Sequence, residues 1–98
     1  MKRAFMIEFD LPESFNEEFL ELIPSQRDMV NQMLIEGKLK SYSLSMDRSR
    51  IWAVASANSE FEAMEIIAQL PLTIFMTPMI HELMFYNASE VMLQFSLN

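Results

Sequence analysis

The sequence predicts an α+β domain, with one antiparallel sheet and two helices on one of its faces. Three observations carry this. Residues 3–10 alternate, with Phe5, Ile7 and Phe9 on one side and Ala4, Met6, Glu8 and Asp10 on the other. Two stretches with helical apolar spacing each open on a Ser-x-x-Glu capping box, Ser14 to Glu17 and Ser59 to Glu62. Between them, Leu39 to Ala57 reads as two short strands around the polar turn Asp47-Arg48-Ser49-Arg50.

The first helical stretch carries Phe15, Phe19, Leu22 and Ile23, then Met29, Val30, Met33 and Leu34. Pro24 interrupts it, so the expectation over about Phe15 to Glu36 is two pieces or one bent helix, ended by Gly37. The hairpin follows. Ser41, Ser43 and Ser45 share one side of its first strand, and Tyr42, Leu44 and Met46 share the other. Helix two is expected to bury Phe61, Met64, Ile67 and Ala68, with Leu70 closing the stripe and Pro71 stopping the helix. An apolar connection leads to a last strand, Met79 to Tyr86. Parity there sets His81, Leu83 and Phe85 toward the helices, and Ile80, Glu82, Met84 and Tyr86 away from them. The tail from Asn87 carries Val91, Met92, Leu93, Phe95 and Leu97 and is expected to pack on its own domain or a neighbouring subunit.

The order strand–helix–strand–strand–helix–strand is the ferredoxin-like βαββαβ arrangement. Ninety-eight residues make one domain, with a core over 1–87 and a tail over 88–98. The face away from the helices is expected to carry Ala4, Met6 and Glu8; Ser41, Ser43 and Ser45; Ala53 and Ala55; and Ile80, Glu82, Met84 and Tyr86. A mixed face with so many small residues suits a second sheet better than water. A homodimer with its sheets face to face, a dimeric α+β barrel, is the expectation.

Composition narrows the function. There is no cysteine, which excludes disulfides and thiolate chemistry. No run reaches the roughly 18 apolar residues of a membrane span, and the N-terminus reads as a strand rather than a signal peptide. A cytoplasmic protein without a membrane partner is expected. The net charge of −7, with scattered basic residues, lacks the footprint of a nucleic-acid binder. Ten methionines spread along the chain read as core filler. One glycine excludes a Gly-rich phosphate loop.

The run from Ala68 to Phe85, with Gln69-Leu70-Pro71-Leu72 closing the second helix, resembles the end of muconolactone isomerase family domains. The long first helix ending at Glu36-Gly37, the hairpin after it and Trp52 in strand three resemble that family too, over about residues 1–87. The resemblance implies a cofactor-free, metal-free isomerase of aromatic compound catabolism, assembled as a larger ring of dimers with swapped tails. Such a reaction moves a proton next to a carbonyl in a small lactone, and it needs a base and an enolate stabiliser.

Glu8 and Glu82, expected on one face in neighbouring strands, are the candidate base and acid, because adjacent carboxylates push their pKa values apart. The alternative sets them at a solvated rim. His81, the only histidine, is a further acid–base candidate against a hydrogen-bonded structural role. Met6, Ser41, Ser43, Tyr42 and Tyr86 are the candidate pocket for a small apolar carbonyl ligand. One histidine with scattered carboxylates makes no transition-metal site. The second functional reading is a non-catalytic ligand-binding or assembly module of the same fold. A cofactor-independent monooxygenase is a third, by analogy of fold.

Overall fold

A computed structural model of the chain describes residues 2–89. Four strands, two α-helices and one 3₁₀ helix follow in the order β1 (Arg3–Asp10), α1 (Glu17–Glu36), β2 (Leu39–Leu44), β3 (Arg50–Ala57), α2 (Glu60–Ala68), η1 (Pro71–Phe75) and β4 (Thr77–Leu83). The strands form one antiparallel sheet in the order β2-β3-β1-β4. This is the ferredoxin-like topology the sequence predicts. The expected tail structure over 90–98 lies outside the described residues.

The inward face of the sheet is set by β1. Phe5, Ile7 and Phe9 are fully buried, and opposite them on β3 lie Ala55, Ala53 and Ile51. Ala53 and Ala55 therefore belong to the helix side, not to the open face expected for them. Their partners on the open face are Trp52, Val54 and Ser56, opposite Glu8, Met6 and Ala4. The small inward side chains of β3 let α2 lie close, through Ala63, Ile66 and Ile67. With so close an approach the helix turns a narrow stripe inward, and Phe61 stays 72% exposed. Met64 and Ala68 are exposed as well, so the expected stripe is corrected to Ala63, Ile66, Ile67 and Leu70.

Helix α1 is continuous through Pro24. Its N-cap is Asn16 rather than Ser14, because the Asn16 carboxamide oxygen accepts from the Phe19 N–H at 2.8 Å. At the other end Gly37 is left-handed (φ 80°), and the Gly37 and Lys38 N–H groups donate to the Leu34 and Met33 carbonyls. That closure is a Schellman motif and requires glycine's conformational freedom. Ser59 caps α2 as expected, accepting from the Glu62 N–H at 3.1 Å.

Strand β2 pairs with β3 through an irregularity between Leu39 and Ser41. The extra residue lets Leu39 point inward along with Tyr42 and Leu44, while Ser41 and Ser43 face out. Ser45 lies beyond the strand and organises the turn. Its hydroxyl donates to Asp47 Oδ1 at 2.7 Å and accepts from the Ser49 and Arg50 N–H groups at 3.2 and 3.1 Å. Asp47 Oδ1 also accepts from the Ser49 hydroxyl at 2.7 Å and the Ser49 N–H at 3.0 Å. These donors allow Arg48 its left-handed φ of 62°.

Strand β4 runs from Thr77 to Leu83, two residues earlier than expected at its start. Its register reverses the expected parity. Pro78, Ile80 and Glu82 lie opposite Phe9, Ile7 and Phe5, and Met79, His81 and Leu83 lie opposite Glu8, Met6 and Ala4. His81 and Leu83 thus face the open side, and Ile80 and Glu82 the helix side. Glu82 is tolerated there because β4 is an edge strand and Arg3 Nη1 reaches its carboxylate at 2.9 Å.

The Ser and backbone donors hold the exposed Asp47 carboxyl down from its ordinary 3.8 to about 2. A depressed carboxylate pKa stabilises the folded state above 3.8, and that contribution is lost as pH falls through about 2. Asp47→Ala should therefore lower the melting temperature at neutral pH. Thermal melts at stepwise lower pH should show the gap from wild type closing between about pH 4 and pH 2.

Candidate functional site

A cleft of about 400 Å³ opens on the helix side, between α1 and the end of the sheet where β1 and β2 finish and β3 begins. Phe15, just before the Asn16 cap, and Phe19 and Ile23 in the first half of α1 supply one wall, and Val30 lies further along the helix. Tyr42, Leu44 and Ile51 supply the sheet wall, and Leu72 of η1 closes the interior. The Phe15 and Phe19 rings stack at 4.2 Å, and Phe19 meets Phe75 edge-on at 5.6 Å.

Three polar side chains join this lining: Gln26, Arg27 and Asn31. Gln26 is 4% exposed and sits on the buried stripe of α1, between Phe19 and Val30. A buried carboxamide is costly unless it is satisfied. Here its Oε1 accepts from the Leu72 N–H at 3.0 Å, and its Nε2 donates to Tyr42 Oη at 2.9 Å. The Leu72 amide belongs to the first turn of η1, where no side chain of the flanking residue caps the helix. Gln26 thus caps η1 from another helix and fixes the phenol of β2 in the same contact. The direction of the chain is determined. An amide N–H can only donate, so Oε1 must face Leu72 and Nε2 must face Tyr42. Burial pushes the Tyr42 phenol above its ordinary pKa, the Gln26 bond opposing in part. The phenol keeps its proton at neutral pH, with its oxygen already accepting.

The residues expected to form a site are divided between two faces. Tyr42 lies in the cleft. Met6, Ser41 and Ser43 lie on the open face of the sheet, opposite Val54 and Trp52 on the central strand β3. Glu8 is on that face too, between Trp52 and Met79, whereas Glu82 is on the helix side. The expected carboxylate pair is not brought together. Instead the open face places Glu8 and His81 at diagonal register positions across β1 and β4. Tyr86 follows the end of β4 and is half-buried.

Comparison with known proteins finds no matching family model and no matching curated protein. Among the described residues, no helix is long and apolar enough to cross a membrane, and no three His, Asp or Glu side chains converge as a metal site would require.

Sequence reasoning missed Gln26 and Arg27. A signal was present: Phe19, Ile23, Gln26, Val30 and Met33 fall at i, i+4, i+7, i+11 and i+14, so a polar residue occupies an apolar stripe. Gln26→Leu keeps the volume but strands the buried Leu72 N–H. It should cost about 1–3 kcal/mol of stability, measured by urea unfolding.

Proposed function

We infer that the chain is a small-ligand-binding module that takes a mostly apolar compound bearing a carbonyl-type oxygen into the cleft of α1, β2 and η1. The observation that carries this is the Tyr42–Gln26–Leu72 chain. It holds one oriented hydroxyl in a mostly apolar cleft. Apolar walls with few placed polar groups are the usual makeup of a small-molecule site. The lining carries no carboxylate and no imidazole, and Tyr42 is held protonated, so binding is better supported there than proton abstraction.

A second reading is the proton-transfer enzyme of the muconolactone isomerase type. One observation favours it: Glu8 and His81 share the open sheet face, each half-ringed by apolar side chains such as Met6, Trp52 and Met79. An acid–base pair needs a dry, enclosed setting. In this reading a second copy, packed sheet to sheet as a homodimer, supplies the enclosure.

The two readings separate by experiment. Amide chemical shifts titrated with a simple ketone such as 2-octanone should move at Phe19, Tyr42, Ile51 and Leu72. Shifts confined to Met6, Ser43 and Trp52, or none at all, would contradict the cleft reading. For the second reading, muconolactone in deuterium oxide should exchange the proton next to its carbonyl. That exchange should vanish in Glu8→Gln, and in a Trp52→Glu variant that sediments as a monomer. Exchange unaffected by either variant would rule the open face out.

A further inference from the structure

We propose that the cleft selects an apolar monocarboxylate, its chain between the Phe19 and Ile51 walls and its carboxylate held by Tyr42 and Arg27. This rests on the reading of the cleft as a small-ligand site and names the class of ligand. The first argument is the direction of hydrogen bonding. Gln26 Nε2 donates to Tyr42 Oη at 2.9 Å, which leaves the phenol's own proton to give to an acceptor on a ligand.

The second argument is charge. Arg27 is the only basic residue of α1, and its helical neighbours at i±3 and i±4 are Ile23, Pro24, Val30 and Asn31. None is acidic, so the helix offers the guanidinium no partner at the spacings where ion pairs form. Among the described residues Arg27 enters no salt bridge, whereas Arg3 and Arg50 pair with Glu82 and Asp10. It lines the cleft, and no Asp or Glu lines it. A chain of net charge −7 has thus kept carboxylates away from this one cation-bearing opening. A planar guanidinium and a hydroxyl donor in one cleft lining are the groups that suit a carboxylate. The Tyr42 phenol keeps its proton at neutral pH, where a carboxylic acid is ionised, so donor and carboxylate are present together. An amine is opposed by the like charge of Arg27.

The test is calorimetry and amide-shift mapping on the full chain with octanoate, 2-octanone and octylamine, all below their aggregation concentrations. Octanoate should bind tightest, 2-octanone more weakly, and octylamine not at all. Arg27→Gln changes an exposed side chain and should leave the fold intact. It should weaken octanoate by roughly fivefold while leaving 2-octanone unchanged. Raising salt should weaken octanoate alone. Tyr42→Phe should weaken both oxygen ligands. If 2-octanone binds in the cleft but octanoate binds no better, or Arg27→Gln leaves octanoate unaffected, the carboxylate proposal is overturned and the binding site stands. If no compound in the series shifts cleft residues, the small-ligand reading falls with it.

Discussion

The structure turns on one buried carboxamide. Gln26 sits where an apolar side chain would ordinarily pack, and both ends of its amide are used. An unsatisfied amide at that depth would cost on the order of 1–3 kcal/mol, a large part of a small domain's margin. The constraint reaches three elements. It fixes where η1 begins, because the Leu72 N–H has no cap of its own. It fixes the Tyr42 ring, and with it the wall that β2 offers to the cleft. It fixes the face of α1 that meets the sheet. Among the described residues, every buried side-chain nitrogen and oxygen finds a hydrogen-bond partner, so the polar insertion is fully absorbed.

Around this centre the sheet has two unlike faces. The inward one is built from bulky β1 residues against small β3 residues, which lets α2 lie close over the Ala53–Ala55 side while α1 stands over β2. Phe15, Phe19 and Phe75 pack beside the end of the sheet, where the cleft opens. The open face mixes Met6, Trp52 and Met79 with serines and with Glu8 and His81.

Much of this was legible in the sequence, for physical reasons. The alternation in residues 3–10 has period two and one strongly apolar parity, so the inward face of β1 could be read directly. The Ser59 cap and Gly37 are local signals with local causes, and both act where they were expected, although the Glu62 carboxylate that would complete the Ser59 box accepts from Lys2 and Asn58 instead. Strand β4 was not legible in the same way. Its two parities, Met79/His81/Leu83 and Ile80/Glu82/Met84, each carry apolar residues around one polar residue, so pattern alone does not choose. Pairing with β1 chose, and it separated Glu8 from Glu82. The same holds for α2, where Phe61 looked like core on hydrophobicity. The depth of the helix is set by the alanines of another strand, which no local window contains. Gln26 was legible in principle as a polar break in a stripe, but its partners are 16 and 46 residues away.

The measurement that tests the account most directly is hydrogen exchange at the Leu72 amide, followed by NMR in the wild-type chain and in Gln26→Ala. If the carboxamide holds η1 as described, the wild-type Leu72 N–H should exchange as slowly as the core amides of β1. Removing the acceptor should accelerate it far more than its neighbours in β1. A Leu72 amide that exchanges rapidly in the wild type, or is indifferent to position 26, would contradict the claim that this bridge organises the cleft.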